Sequence, residues 1–168
     1  TMYNTAVGHF AGYAVTTGIQ NTLMGGLAGD ALTDGSFNTA LGLATLSADT
    51  RGSHSVAVGA GALNEQNFTS ATDAYNTAVG RLAGQKVTTG VQNTLIGGLA
   101  GDALTDADYN VAVGTSALSA DTLGSASTAI GFEAFKAQNH TEATSTYGTA
   151  VGYQAGKNVT NALRCTLI

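Results

Sequence analysis

The stretch Asn4-Thr5-Ala6-Val7-Gly8 decides the fold, because near-copies of it recur along the whole chain. The copies end in Gly8, Gly25, Gly42, Gly59, Gly80, Gly97, Gly114, Gly131 and Gly152, and a tenth copy reaches Ile168 without its glycine. Successive glycines lie 17, 17, 17, 21, 17, 17, 17 and 21 residues apart. A fixed period of this length is the signature of repeat proteins whose units stack in a row. We therefore predict a solenoid.

The composition indicates that the repeating unit is made of strands and turns. Of the 168 residues only 10% are charged, while 23 are glycine. β-Branched residues crowd the motifs and glycine interrupts the chain too often for helices. The predicted fold is all-β, a parallel β-solenoid of 17-residue coils in which every fourth coil has 21 residues. A single solenoid is expected over residues 1–168, with 72-residue blocks at 1–72 and 73–144 and a partial block at 145–168.

Alternation along a strand places neighbouring side chains of each motif on opposite faces. We assign the larger aliphatic side chains to the interior as one core row: Val7, Met24, Leu41, Val58, Val79, Ile96, Val113, Ile130, Val151 and Ile168. Thr5 and its equivalents share that face, whereas Asn4 and Ala6 lie on the opposite one, where stacked asparagines can bond coil to coil as a ladder. The motif glycines are predicted to occupy turns that need positive φ. The four extra residues near Asn67 and Asn139 are predicted to bulge outward.

Two stretches resemble repeats of known protein groups. Ser55-Val56-Ala57-Val58-Gly59-Ala60-Gly61-Ala62-Leu63 is similar to the head repeat of trimeric autotransporter adhesins, and Thr88 to Gly97 resembles repeats of phage tail fibres and other virion appendages. The resemblance implies parallel β-rolls, assembly of several chains, and an extracellular, cell-surface or virion location. The resemblance covers nearly the whole chain. It is specific for the repeat architecture and does not indicate a binding site.

Several functional classes lack the residues that they need. A net charge of −5 with only six Lys and Arg opposes nucleic-acid binding, and no apolar run is long enough for a membrane span. His9, His54 and His140 lack metal-ligand spacing and are interpreted as surface histidines. The pairs Asp30/Asp34 and Asp102/Asp106 are interpreted as turn residues. With no nucleophile elbow or phosphate loop, we expect no catalytic, cofactor-binding or metal-binding residues and no enzyme activity.

The main functional hypothesis is a structural repeat segment of an extracellular fibre, filament or virion appendage. The alternative is an adhesin head or receptor-binding module that recognises a host surface or glycan. Ice binding is a third class, and it requires exposure of the threonines that we assign to the interior. Because so thin a core stabilises weakly, a homo-oligomer is expected, either a lateral trimer or a head-to-tail filament. The chain opens on Thr1 without an initiator Met, so we expect a processed product or a segment of something longer. Because it stops inside a motif, we expect it either to continue into more chain or to stack head to tail on another copy.

Overall fold

The computed structural model describes residues 2–168 as short strands joined by turns, with no helix in this range. The strands are β1 Thr5–Val7, β2 Thr22–Met24, β3 Thr39–Leu41, β4 Gly52–Ser53, β5 Val56–Val58, β6 Thr72–Asp73, β7 Thr77–Val79, β8 Thr94–Ile96, β9 Val111–Val113, β10 Gly124–Ser125, β11 Thr128–Ile130, β12 Thr144–Ser145, β13 Thr149–Val151 and β14 Thr166–Leu167. Ten of them form one sheet in the order β1-β2-β3-β5-β7-β8-β9-β11-β13-β14, and β4-β6 and β10-β12 form two small sheets.

Every strand pairing is parallel and joins equivalent positions of successive motifs. Ala6 pairs with Leu23 in adjacent 17-residue coils, and Ala57 pairs with Ala78 across a 21-residue coil, so the longer coils keep the register. The predicted parallel β-solenoid is confirmed. Each motif supplies one rung of the ten-stranded sheet, and the sheet forms one continuous wall of the molecule.

The predicted core row is wrong, because the aliphatic side chains at the ends of the motifs point outward. Val7 is 55% exposed, Met24 40% and Leu41 44%. Exposure is also high for Ile96, Ile130, Val151 and Ile168, and it is intermediate for Val58, Val79 and Val113. The fully buried strand residue is the central one, which is Leu23, Ala40, Ala57, Ala78, Leu95, Ala112, Ala129 or Ala150.

The narrow coil explains why small side chains occupy the interior. Leu23 is the large central residue of its strand. On the opposite wall it packs against two glycines that belong to successive coils. A Cβ atom on Gly12 would come within 2.8 Å of the Leu23 Cδ1 atom, and one on Gly29 within 2.9 Å of its Cδ2 atom. Where that turn carries the buried Leu46 or Leu63 instead, the central strand residue is alanine. Leucine therefore fills the interior from the strand in some coils and from the opposite wall in others.

The asparagine ladder exists, but it runs through the interior. The Asn21 backbone N–H donates to Asn4 Oδ1 at 2.8 Å, and the Asn38 N–H donates to Asn21 Oδ1 at 2.9 Å. The side-chain amide of Asn21 crosses the coil and donates to the Gly35 carbonyl at 2.9 Å. The second block repeats the ladder from Asn76 to Ser127. These buried amides satisfy backbone groups that the thin coil would otherwise leave unpaired.

The motif glycines do occupy turns with positive φ, and two physical constraints require glycine there. Gly80 has a φ of 139°, and a Cβ atom on it would lie 2.5 Å from the carbonyl oxygen of Gly97 in the next coil. A side chain is therefore excluded both by the backbone conformation and by the close stacking of coils. This column of glycines sets the edge of the sheet.

The insertions bulge outward only in part. Residues 69–71 and 141–143 are exposed, but Phe68 and His140 fold back beneath them and are buried. Each covers a buried aspartate of the preceding coil, Asp49 or Asp121, whose Oδ1 atom accepts the backbone N–H of Phe68 at 3.1 Å or of His140 at 2.8 Å. The insertion is thus partly a lid over a polar layer of the core.

Candidate assembly surface

The outer side of the ten-stranded sheet presents two parallel columns of side chains. One is the aliphatic column from Val7 to Ile168, and the other is a threonine column: Thr5, Thr22, Thr39, Val56, Thr77, Thr94, Val111, Thr128, Thr149 and Thr166. Members of the threonine column are exposed or partly exposed throughout. Because equivalent residues pair directly, each column repeats once per rung, at about 4.8 Å.

A corner column borders the threonine side of this surface. It consists of the residues before each asparagine position, all with positive φ: Tyr3, Gln20, Phe37, His54, Tyr75, Gln92, Tyr109, Ala126, Tyr147 and Arg164. Three of its rings stack along the rod, with centroids 4.8 Å apart for Phe37 and His54 and 5.0 Å apart for His54 and Tyr75. Tyr3, Tyr109 and Tyr147 are more than half exposed. The corner column is an aromatic-rich edge.

A post-glycine column borders the aliphatic side. It consists of His9, Gly26, Leu43, Ala60, Arg81, Gly98, Thr115, Phe132 and Tyr153. Phe132 and Tyr153 stack with centroids 5.5 Å apart. We call the four columns together the strand face: corner, threonine, aliphatic and post-glycine.

Acidic residues lie outside the columns of the strand face, although the Asp73 carboxylate reaches its edge, with Oδ1 3.2 Å from Nδ1 of His54. None of the 11 Asp and Glu residues occurs in its four columns, where Arg81 and Arg164 are the only Lys or Arg residues. On the other walls of the coil, Arg51 lies 3.6 Å from Asp34, and the Glu133 carboxylate contacts Lys157 at 2.6 Å. Lys136, followed by Lys157 and Gln154, lowers the pKa of Glu133 to about 2. Burial raises the pKa of Asp102. One wall of the molecule is thus apolar and uncharged along most of its length, and the others carry the charge.

The three histidines have different surroundings, and only two are surface residues. His9 packs against Phe10 with the two ring planes tilted by 56°, and His54 lies between two rings of the corner column. The prediction of a surface position is wrong for His140, which is only 8% exposed, with its Nδ1 atom 3.3 Å from Asp121 Oδ2. Within residues 2–168 no three His, Cys, Asp or Glu side chains are grouped as metal ligands would be.

The remaining candidates are dispersed over the rod. Asp34 pairs with Arg51, and Asp106 accepts a hydrogen bond from the Thr89 hydroxyl at 2.6 Å, so these aspartates tie neighbouring coils together. Cys165 is a free, partly buried cysteine. An open hollow of about 190 Å³ lies against His140 and Glu142 on the second bulge. In the described range no helix has the length and hydropathy needed to cross a bilayer.

Sequence reasoning missed both the strand face and the buried Asp49 and Asp121. A signal for the first was present, since large central residues such as Leu23 occur only where the opposite turn carries glycine, a pattern that marks facing interior positions. The sequence contains no comparable signal for the burial of Asp49 and Asp121, because an aspartate near a turn is normally interpreted as exposed. Comparison with known proteins returns no match to any protein-family model, curated protein or solved structure.

Proposed function

We propose that the chain is a non-catalytic structural segment of an extracellular fibre, filament or virion appendage, and that copies of it associate laterally through the strand face. The observation that carries this proposal is the unbroken aliphatic column on the outside of the sheet. Monomeric proteins rarely expose a continuous apolar surface of this length, and such surfaces normally mark an interaction site.

Charge segregation supports the same role. Side-by-side association places charged groups in water when they lie on the outer walls, whereas a charge on the contact face is desolvated at a cost. The strand face has the composition of an interface centre, aliphatic with aromatic and arginine residues at its edges. Regular coils bonded to one another along the axis would provide the rigid rod that a fibre segment requires.

The proposal is tested by moving one charge between walls. Val79→Asp places a carboxylate in the aliphatic column, and Thr17→Asp places one on the opposite side, at the position that Asp34 occupies in the next coil. Sedimentation velocity of the parent should show concentration-dependent association, which Val79→Asp abolishes and Thr17→Asp preserves. Circular dichroism should show that both variants remain folded. A parent chain that stays monomeric at every concentration contradicts the proposal.

A third variant separates assembly from folding. Ala78→Asp puts the same carboxylate one residue away, on the interior side of the strand where Ala78 is fully buried. An unpaired buried charge of this kind is expected to cost several kcal/mol, about 3 or more. Ala78→Asp should therefore unfold a chain that tolerates Val79→Asp.

Ice binding is a second candidate, because the threonine column is exposed after all. Thr5, Thr22 and Thr166 are exposed and the intervening threonines partly so, in a regular row beside methyl-bearing side chains. This function requires an uncovered strand face and hence a monomer. Measured thermal hysteresis in a monomeric parent, lost on Thr77→Asp, would favour ice binding; association without hysteresis would favour the structural role.

A further inference from the structure

We infer that the occupant of the strand face is the strand face of a second copy of this chain, running antiparallel to the first. The inference rests on the proposed lateral association and adds its orientation. It follows from the chemical asymmetry across the face, where the threonine column carries hydroxyls in eight of the ten rungs and the aliphatic column carries none.

Across the sheet, the order of the columns is corner, threonine, aliphatic and post-glycine. The threonine side carries hydroxyls in eight of ten rungs and an edge of rings such as Phe37, Tyr75 and Tyr109. The aliphatic side carries Val, Ile, Leu or Met in all ten rungs. The face therefore has a hydroxyl-bearing half and an aliphatic half, divided along the length of the rod.

Two identical copies can be placed face to face by a twofold axis in two ways. An axis parallel to the rods keeps the copies parallel and exchanges left with right, so the threonine column of one faces the aliphatic column of the other. An axis that crosses the rods reverses one copy and leaves left and right in place. Threonines then face threonines, aliphatic residues face aliphatic residues, and the two aromatic-rich edges meet.

The antiparallel arrangement matches the chemistry of both halves. Facing threonine columns gather the hydroxyls into one polar strip, where trapped water can bridge them. In the parallel arrangement the same hydroxyls are buried against hydrocarbon, where an unpartnered hydroxyl is costly. With full overlap of the two sheets, Val79 lies opposite Ile96, Val58 opposite Val113 and Leu41 opposite Ile130, so aliphatic side chains meet aliphatic side chains.

The strand face is large enough for a stable pair. Ten strands about 4.8 Å apart span about 45 Å, and the seven residues from corner to post-glycine position span about 20 Å. Each copy therefore offers about 900 Å², or about 1,800 Å² for the pair, within the range of specific protein interfaces. Two sheets packed face to face at about 10 Å allow their side chains to interdigitate.

Spin-label distances at three rungs test the orientation. Gly26→Cys, Gly98→Cys and Tyr153→Cys, each made in a Cys165→Ser background, put a label beside rungs two, six and nine of the sheet. A Cβ atom on Gly98 has no neighbour within 4 Å and one on Gly26 meets only Leu43 Cδ1 at 3.4 Å and the His9 carbonyl oxygen at 4.0 Å, while Tyr153 is 74% exposed. The post-glycine column lies at the edge of the contact, which leaves room for the labels.

In an antiparallel pair the distance between the same site in two copies is short near the middle and long near both ends. With full overlap, the separation along the rod is about 5 Å for Gly98→Cys and about 34 Å for both Gly26→Cys and Tyr153→Cys. A shifted register lengthens one end distance and shortens the other. Sedimentation of each labelled variant should match the parent, confirming that the pair still forms.

Equal distances at all three sites would overturn the antiparallel inference, since a parallel pair or a parallel trimer keeps equivalent rungs level. Lateral association would survive that result. Association that persists in Val79→Asp would overturn the assignment of the strand face while leaving a structural role in place. A parent that never associates would remove both the inference and the proposed function.

Discussion

The two 21-residue coils, residues 59–79 and 131–151, have the same backbone path but close the core differently. In each, a buried aspartate of the preceding coil anchors the turn, and a buried glutamine one coil later donates to its Oδ2 atom: Gln66 to Asp49 at 2.6 Å and Gln138 to Asp121 at 2.8 Å. The residues around these pairs have changed between the blocks. Phe68 corresponds to His140, Leu63 to Phe135 and Asn76 to Gly148.

The first long coil satisfies its glutamine completely. The Asn76 amide donates to Gln66 Oε1 at 2.9 Å, and Gln66 Nε2 also donates to the Ser55 hydroxyl at 3.1 Å. In the second, Gly148 has no side-chain amide to donate to the glutamine, and Gln138 Oε1 and His140 Nε2 are buried without partners. The Phe135 ring occupies the space of the missing side chain, 3.2 Å from a Cβ built on Gly148. Between the two coils, hydrogen bonds are exchanged for ring volume while the backbone keeps the same path.

Removal of the buried aspartate that both coils share should give the largest loss of stability. Asp49→Ala leaves the buried N–H groups of Gly52 and Phe68, now bonded at 2.9 and 3.1 Å, without an acceptor. Asp121→Ala does the same to Gly124 and His140. Each substitution should lower the free energy of unfolding by about 3 kcal/mol or more. Urea denaturation followed by circular dichroism measures this loss; a loss below about 1 kcal/mol in either variant would show that the carboxylates do not anchor the coils.

A double-mutant cycle tests the exchange of volume for hydrogen bonds. Gly148→Asn alone should destabilise by about 1–3 kcal/mol, because its side chain meets the Phe135 ring. Phe135→Leu with Gly148→Asn recreates the first coil and supplies a donor to Gln138. The coupling energy should favour the double variant by about 2 kcal/mol. Additive effects of the two changes would show that the coils are not interchangeable.

The lid residues can be exchanged as well. His140→Phe copies Phe68 and removes the unpartnered Nε2 atom, at the cost of a long hydrogen bond to Asp121. It should raise the free energy of unfolding by about 1 kcal/mol near neutral pH, and Phe68→His should lower it by a similar amount. Thermal unfolding at constant pH compares the two; a loss of stability in His140→Phe would mean that the ring nitrogens contribute more than they cost.

The smallest expected effect on stability comes from the ion pairs of Glu133, which occur in the second long coil and are lost at acid pH. Glu133, which has Gly61 as its counterpart, is paired with Lys136, Lys157 and Gln154, and its pKa falls from the usual 4.5 to about 2. A lowered pKa in the folded state adds stability that is fully present above pH 4.5 and disappears as the pH falls toward 2. The difference in Tm between the parent and Glu133→Gln should shrink over this interval. A difference that stays constant contradicts the contribution of the ion pairs.

The repeated motif shows most clearly which parts of the architecture can be predicted from the sequence. The spacing of Gly8, Gly25 and their successors predicts the coils, since a glycine is needed wherever the backbones of two coils meet. Alternation in Thr5-Ala6-Val7 predicts two faces but does not say which is inside. Side-chain size favours Val7 for the interior, whereas the narrow coil buries alanine at most central positions and leucine where the opposite turn carries glycine. The relation of Leu23 to Gly12 and Gly29 contains the answer, but it appears only when positions 6 to 11 residues apart are compared.

The polar interior was beyond sequence reasoning for a different reason. Asp49 and Gln66 lie 17 residues apart and become partners only after stacking places one above the other. Considered without that partner, each is interpreted as a solvent-exposed turn residue. The strand face was hidden by the same error that misplaced the core, because turning a strand over exchanges every side chain between its faces.

The ladder of asparagines and backbone bonds also determines how the rod would yield to force. Its hydrogen bonds join each coil to the next, as in Asn21 to Asn4, and therefore lie along the axis of the rod. Tension applied between the two ends of the chain would load the bonds of a terminal coil first and peel it away before the next is strained. Each 17-residue coil would release about 55 Å of chain and each 21-residue coil about 65 Å. The chain would thus lengthen in steps of about 55 Å, with a step of about 65 Å whenever a 21-residue coil opens. The order of the steps would follow the order of the coils.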